Sequence, residues 1–262
     1  MKKLIMGAIC VVFLGASLFA QVPAGTRDGI YFAQDANFTN NQRNQVVLEV
    51  RGGRITSANW NLISLNAGSQ DLKSIARAQG APAGATTWVN NATTVENFVV
   101  QTQNINATTV PNVPANFSVA PFFSLVRAAL ATQPIQPGGL YRDGWYFFLE
   151  PNVDDYHTRN YVVITVAGSR IVDVIWNGVL QGMPSSINPS KLITSTANRY
   201  PMTGSRSPWH TQANLTAAEL VRVQNPDQIR LRADRRPDAI SGVTIEIDRF
   251  IDVSRNALRN AR

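Results

Sequence analysis

The stretch "DAISGVT", which begins at Asp238 near the C-terminus, combines residue types that could hold a phosphate group. Gly242 lets the backbone turn tightly and lets a ligand approach closely, because it has no Cβ. Ser241 can hydrogen-bond a local amide or a phosphate oxygen, and Thr244 presents the hydroxyl that a phosphoester requires. Asp238 could brace the turn by accepting amide hydrogen bonds, or it could help to present the loop to a modifying enzyme. These residue types are the ones that attachment of a phosphate-bearing group at Thr244 would need.

A plainer interpretation of the same stretch stays open. It could be an Asx-type turn that leads into a strand at 245–247 and a helix capped by Asp248. Arg235 and Arg236 lie just upstream and would place positive charge near any bound phosphate. Taken alone, the residues of the stretch favour the turn, and the position of the stretch in the chain is what favours attachment.

The rest of the chain lacks the residue patterns of common enzymes. His157 and His210 are the two histidines, and neither belongs to a recognisable nucleophile–base arrangement or to a His-rich metal site. Asp154 and Asp155 are adjacent, so their side chains point apart and do not suit paired acid–base work. No G-x-S-x-G elbow and no Walker or dinucleotide-binding glycine loop occurs. We therefore assign no catalytic and no metal-binding residues.

The sequence repeats itself, and the repeat defines the elements that must position the C-terminal stretch. "DGIYFAQ" from Asp28 recurs as "DGWYFFL" from Asp143, and "NQVVLEVRGGRITSANWN" recurs as "NYVVITVAGSRIVDVIWN". This pairing places Trp60 opposite Trp176. Each long segment predicts two β-strands joined by a tight turn, "RGGR" in one copy and "AGSR" in the other. Alternating apolar residues give each hairpin one face for a core, namely Val46, Leu48 and Val50 in the first and Val162, Ile164 and Val166 in the second.

Two helical segments complete each copy. "WVNNATTVENFVVQTQN" from Trp88 pairs with "WHTQANLTAAELVRVQN" from Trp209 without gaps, and "FFSLVRAAL" from Phe122 pairs with "FIDVSRNAL" from Phe250. The first pair predicts a helix that ends before the proline of "NPDQ" in the second copy. The second pair predicts a closing amphipathic helix. Its apolar face in the second copy consists of Phe250, Val253, Ala257 and Leu258.

The chain therefore divides into a signal peptide at 1–20 and two tandem domains at 25–137 and 138–262. The segment "ATQPIQPGG" is a natural linker between the domains, since it holds two prolines and two glycines. We predict an α+β fold, with two copies of a domain in which helices pack on a twisted antiparallel sheet.

The N-terminus predicts export. Lys2 and Lys3 precede a short apolar run, which is typical of a secretory signal cleaved near Ala20. Leu18 fits the cleavage site poorly, so an uncleaved N-terminal anchor stays open as a membrane association. Cys10, the only cysteine, lies within this signal, so the mature chain has no thiol. The net charge of +7 does not indicate nucleic-acid binding, because the arginines are scattered among acids.

At "DAISGVT" the chain resembles a known family, the FMN-binding domain that occurs in Rnf electron-transport complexes and in the Na+-translocating NADH:quinone reductase. The tandem layout is similar to exported flavoproteins of extracellular electron transfer. In that family a D-x-x-[ST]-G-[AV]-T stretch carries FMN as a phosphoester on its threonine, installed by an exported flavin transferase that uses FAD. The resemblance implies cofactor-binding roles for the matching residues Asp238, Ser241, Gly242, Val243 and Thr244. Val243 stands where alanine is commoner.

The resemblance extends over the second copy, through "DGWY", the second hairpin, "YPMTGSRSPWHTQA" and the closing helix. The first copy departs from the pattern. Aligning the closing helices places Val110, Pro114 and Asn116 where the second copy has Asp238, Gly242 and Thr244. Asn116 offers no hydroxyl, so the first domain is expected to keep a degenerate form of the fold without covalent flavin. The nearby "GAT" that ends at Thr86 precedes Trp88 rather than the final helix, and we interpret it as coincidence.

The resemblance implies an exported electron-transfer flavoprotein, in the periplasm or at the cell surface, that is an electron carrier rather than an enzyme with its own substrate. Its expected partners are the flavin transferase and redox proteins of the cell envelope, with no nucleic acid. Tyr200, Met202 and Trp209 could line the flavin ring, although ordinary core packing explains each of them better. The alternative function is a cell-envelope binding or scaffold protein that keeps this fold without flavin.

Overall fold

The computed structural model describes residues 22–184, 187–202 and 207–262, so the predicted signal segment at 1–20 lies outside the described residues. Each copy contains one three-stranded antiparallel sheet with its strands in chain order. The strands are β1 (Gly29–Gln34), β2 (Gln42–Arg51) and β3 (Arg54–Ser64) in the first copy, and β4 (Gly144–Leu149), β5 (Thr158–Ala167) and β6 (Arg170–Leu180) in the second.

Helices follow each sheet in the same order in both copies. They are α1 (Leu72–Arg77), α2 (Ala83–Thr102) and α3 (Ala120–Leu130) after the first sheet, and α4 (Lys191–Thr196), α5 (Trp209–Val223) and α6 (Asp248–Leu258) after the second. A short 3-10 helix, Pro226–Gln228, follows α5. The fold is therefore α+β with two sheet units in tandem, which confirms the predicted fold class.

The aspartate of the repeated "DG" pair binds the turn of each hairpin. The Asp28 carboxylate accepts hydrogen bonds from the backbone N–H groups of Gly52 and Gly53, at 2.9 and 3.2 Å. Asp143 does the same for Gly168 and Ser169, at 3.0 and 2.7 Å. These turn residues have positive φ angles, from 57° to 70°, a conformation that favours glycine. The aspartate therefore fixes a turn in both copies.

A glutamine at the end of a helix binds the strand that follows each turn. At the end of α2, the Gln103 side chain accepts a hydrogen bond from Ile55 N–H and donates one to Ile55 C=O. At the end of α5, Gln224 makes the same two bonds with Ile171. The closing Gln-Asn of the repeated segment is thus a specific contact between helix and hairpin in both copies.

The predicted core face of each hairpin is buried against the helices of its own copy. Val46, Leu48, Val50, Val162, Ile164 and Val166 are all at most 1% exposed. The second sheet differs from the expectation of one buried face, because Tyr161, Val163, Thr165 and Ala167 on its other face are buried as well. That second face packs against the sheet of the first copy.

A polar network joins the two sheets. Gln45 on β2 is fully buried, and its Oε1 accepts hydrogen bonds from Trp145 Nε1 and Thr165 Oγ1 at 2.7 and 2.8 Å. The Asp173 carboxylate on β6 accepts from Gln45 Nε2 at 2.9 Å and pairs with Arg43. Because buried polar groups need partners, these bonds specify how the two copies pack.

The segment before α6 differs from what the sequence predicts. Residues 245–247 form no strand, and α6 begins after Ile247, whose side chain makes no capping hydrogen bond. Asp248 is the first residue of the helix rather than its cap, where its negative charge suits the helix dipole. The strand and the Asp248 cap of the plainer interpretation are therefore both wrong, because no strand of the described chain pairs with residues 245–247 and the helix begins one residue before the expected position.

The closing helices α3 and α6 and the long helices α2 and α5 confirm the predicted helical segments. Phe250, Val253, Ala257 and Leu258 are buried, as the stripe predicts. In the described part of the chain no helix is long and apolar enough to cross a membrane.

Candidate functional site

An open cleft of about 590 Å³ lies in the second copy, between the sheet, the starts of α4 and α5, and the loop before α6. Its volume falls in the range of roughly 300–1,000 Å³ that is typical of small-molecule and cofactor sites. Its lining includes Asn160, Trp176, Lys191, Tyr200, Met202, Trp209, Arg235, Thr244, Ile245, Glu246 and Asp248. The cleft therefore brings together segments that are distant in the sequence.

Of the five residues of the predicted attachment motif, Thr244 alone lines this cleft. Thr244 is an exposed residue at the border of the cleft. Ser241 and Asp238 are exposed on the adjoining turn, while Val243 is 5% exposed and anchors the loop in the core. Gly242 has a φ of +80°, and a Cβ there would lie 3.2 Å from Leu215 Cδ1.

Gln212 on α5, which the sequence did not single out, fixes the loop. It is fully buried, and its Oε1 accepts hydrogen bonds from Thr244 N–H at 2.7 Å, from the Thr244 hydroxyl at 3.2 Å and from Ile245 N–H at 3.2 Å. The Asp238 carboxylate accepts no hydrogen bond within the described residues, and Asp238 is held through its N–H, which donates to Arg230 C=O at 3.0 Å. The bracing role predicted for Asp238 therefore belongs to Gln212.

Aromatic residues form one wall of the cleft. Trp209 is 3% exposed, and its ring lies edge-on to Trp176 with centroids 5.2 Å apart and to Tyr200 at 6.5 Å. The equivalent Trp60 and Trp88 of the first copy make the same edge-on contact at 5.0 Å. The tryptophan at this position therefore packs in or against the core in both copies, as expected: Trp209 is buried, whereas Trp88 is half-buried. In the second copy it also faces a cleft.

Lys191, the first residue of α4, is a second important residue that the sequence did not single out. It is 5% exposed, and its Nζ lies 4.8 Å from the Tyr200 ring centroid and 4.7 Å from that of Trp209. Burial lowers the pKa of Lys191 to about 8, against a smaller opposing effect of the Asp154 carboxylate. Comparing the two copies at this helix could have exposed it, since the first copy has Leu72 there.

The arginines near the cleft are already paired with carboxylates. Arg235 contacts Glu246 at 2.9 Å and Asp248 at 3.9 Å, and these acids raise the pKa of Arg235. Arg236 lies 3.8 Å from Asp234. Both arginines line the cleft, as their position before the motif suggested, but their charge is shared with neighbouring acids.

The same place in the first copy is filled by an aromatic side chain. Phe117, which corresponds to Ile245, packs against Trp60 and Trp88 with centroids 5.7 and 6.2 Å away. Asn116 stands where Thr244 would be and is exposed. Thr86 of the "GAT" sequence lies inside helix α2. The first copy therefore combines the loss of the hydroxyl with a larger side chain beside its tryptophan pair.

A serine–histidine contact joins α4 to α5 outside the lining of the cleft. Ser195 Oγ is 3.1 Å from His210 Nδ1 and accepts a hydrogen bond from His210 N–H at 3.0 Å. Ser195 is 2% exposed, so this contact is closed to a substrate. Across residues 22–184, 187–202 and 207–262, no group of three His, Cys, Asp or Glu side chains is placed to hold a metal ion.

Comparison of the sequence with known family models and with curated proteins gives no match. Two solved structures are similar to part of the chain. A solution NMR structure from Clostridium thermocellum is 31% identical, covers 45% of this chain and 90% of its own, and has a TM-score of 0.36. A crystal structure from Clostridium perfringens is 20% identical, covers 47% of this chain and 89% of its own, and has a TM-score of 0.37. Both are structural genomics targets.

Proposed function

We propose that the protein is an exported electron-transfer flavoprotein that carries FMN covalently on Thr244. The observation that carries the proposal is that an exposed threonine and an aromatic wall share one cleft in the copy that has the whole motif. When bound, FMN supplies reversible electron transfer, while the protein sets its position and potential. A tethered cofactor suits an exported carrier, because a free one would be lost by diffusion.

The residues around the cleft fit such a group. Thr244 would hold the phosphate, and the exposed turn at Ser241 and Gly242 leaves room for its oxygens. Trp209, Tyr200 and Met202 would lie along a flat ring, since aromatic and thioether groups favour such contacts. Gln212 would keep the threonine backbone in place while its oxygen is esterified.

Attachment needs a flavin transferase as a partner, with FAD as the donor. The Thr244 oxygen would form a bond to the phosphorus of the FMN half, and the pyrophosphate bond to AMP would break. AMP would leave with the electrons of that bond, and the threonine proton would pass to solvent. The electron donor and acceptor would be redox proteins of the cell envelope.

Co-expression with an exported flavin transferase tests the proposal. We expect wild-type protein to gain the mass of FMN less one water and to fluoresce as a flavin in a denaturing gel. Thr244→Ala should abolish both signals, whereas the matched control Thr86→Ala, in the "GAT" of the first copy, should keep them. An unmodified wild type would overturn the proposal and favour the scaffold function, and an adduct on the Thr244→Ala variant would exclude Thr244 as the site.

A further inference from the structure

Lys191 is a buried cation without an ion-pair partner among the described residues. Burying an ammonium without a carboxylate costs free energy, and such groups are retained where they have a partner or a function. Glu246 and Asp248 of the cleft are paired with Arg235. The Asp154 carboxylate, which also lines the cleft, acts on Lys191 without forming an ion pair with it, and it accepts hydrogen bonds from Tyr156 N–H, Thr158 N–H and Asn160 Nδ2. What Lys191 contacts is the aromatic wall, through the rings of Tyr200 and Trp209.

The fold does not require a lysine at this position, as the first copy demonstrates. Asp71 and Ser190 both cap their helices by accepting a hydrogen bond from the third helical residue. The second residues, Lys73 and Leu192, both donate N–H to the equivalent asparagines of β3 and β6. This register places Leu72 opposite Lys191, so an apolar residue serves the same structural position.

The first copy also indicates what a purely structural lysine looks like in this fold. Lys73 lies one position further along and binds Glu96 of α2 at 2.7 Å, a pair in which both side chains are largely buried. The position that corresponds to Glu96 in α5 is Ala217. The second copy therefore has a lysine facing a cleft and lacks the equivalent of Glu96, the acid that pairs with the lysine of the first copy.

We propose that Lys191 is the residue that pairs with the electron-rich edge of a planar ring bound in the cleft. This inference rests on the proposed function and names the ring as the isoalloxazine of FMN. Uptake of two electrons and one proton from a reductant leaves an added negative charge on such a ring. An ammonium beside it stabilises that charge more than it stabilises the oxidised ring, and so raises the reduction potential.

The test uses Lys191→Leu, which restores the residue of the first copy, with Lys191→Arg as the charge-keeping variant. Arg199→Met is the matched control, because Arg199 is exposed in the same segment and its loss removes one charge outside the cleft. The first measurement is the midpoint potential of the flavinylated proteins, titrated with dithionite. We expect Lys191→Leu to favour the oxidised form by about tenfold, which is about 30 mV for a two-electron couple. Lys191→Arg and Arg199→Met should stay close to wild type.

A second measurement separates this inference from the proposed function. Riboflavin, which cannot be esterified through a phosphate, is titrated into Thr244→Ala protein with and without Lys191→Leu, following tryptophan fluorescence. We expect riboflavin binding, weakened about tenfold by Lys191→Leu. Absence of the FMN adduct on wild type would defeat the proposed function alone. Any of three results would overturn the role of Lys191. These are equal potentials in wild type and Lys191→Leu, equal riboflavin affinities with and without Lys191→Leu, and no riboflavin binding.

Discussion

Replacing Gln212 with leucine should loosen the loop that carries Thr244 while leaving most of the fold intact. The side chain is fully buried in α5, and leucine has a similar volume, so little cavity is created. The variant loses the oxygen that accepts hydrogen bonds from Thr244 N–H, the Thr244 hydroxyl and Ile245 N–H. Three of the lost bonds belong to the attachment loop, and the fourth is the bond that Gln212 Nε2 donates to Ser207 C=O at 2.9 Å.

The size of the effect follows from how exposed the released groups are. A neutral hydrogen bond contributes about 1 kcal/mol net, so the four lost bonds together are worth about 4 kcal/mol before water replaces any of them. Thr244 is exposed and Ile245 is half-buried, so water replaces part of the loss. We expect the free energy of unfolding to fall by about 1–2 kcal/mol. Attachment of FMN should slow by about tenfold, because a displaced hydroxyl reacts less often with the donor phosphorus.

Urea unfolding and the time course of adduct formation measure the two effects. The matched control is Asn91→Leu, the corresponding position of α2 in the first copy, which should change stability by less than about 0.5 kcal/mol. If Gln212→Leu unfolds at the wild-type urea concentration and is modified at the wild-type rate, Gln212 does not hold the loop.

Two further predictions concern the same region. Gly242→Ala should lower the free energy of unfolding by about 1 kcal/mol, because φ is +80° there and the new Cβ would crowd Leu215. Urea titration measures this change, and an unchanged urea midpoint of unfolding would exclude the strain. The pKa of Lys191 is about 8 in the folded protein, whereas the ordinary pKa of a lysine is 10.5. This difference should make the free energy of unfolding depend on pH. Between those values the unfolded state binds more protons, so the free energy of unfolding should rise with pH by up to about 3 kcal/mol relative to Lys191→Leu. Parallel pH profiles for the two proteins would show that Lys191 keeps its ordinary pKa.

The two-copy organisation illustrates what repeated sequence can reveal about a site. The match of the hairpins, the long helices and the closing helices predicted the elements correctly, because apolar periodicity and turn residues are local signals. The same comparison identified Asn116 as the residue that replaces Thr244. The short helices α1 and α4 were missed, since six residues carry too little periodicity to predict a helix.

Side-chain partners between distant segments were harder to predict. The carboxylate of Asp238 was expected to brace the loop because aspartate often does so within a turn. The group that braces it is Gln212, which lies 32 residues from Thr244 in the sequence. The plainer interpretation of the motif included a strand at 245–247, but no neighbouring strand pairs with that segment in the described chain.

The sequence by itself determined the duplicated α+β fold, the predicted core faces of the hairpins and the threonine hydroxyl before the final helix. These features depend on residue types a few positions apart, which the chain displays directly. The tertiary structure alone decided that Thr244 borders a cleft, that Gln212 fixes it and that Lys191 lies against Trp209 and Tyr200. It also decided that Phe117 packs onto the tryptophan pair of the first copy. Such contacts depend on how helices pack on the sheet, and no local pattern records which side chains that packing brings together.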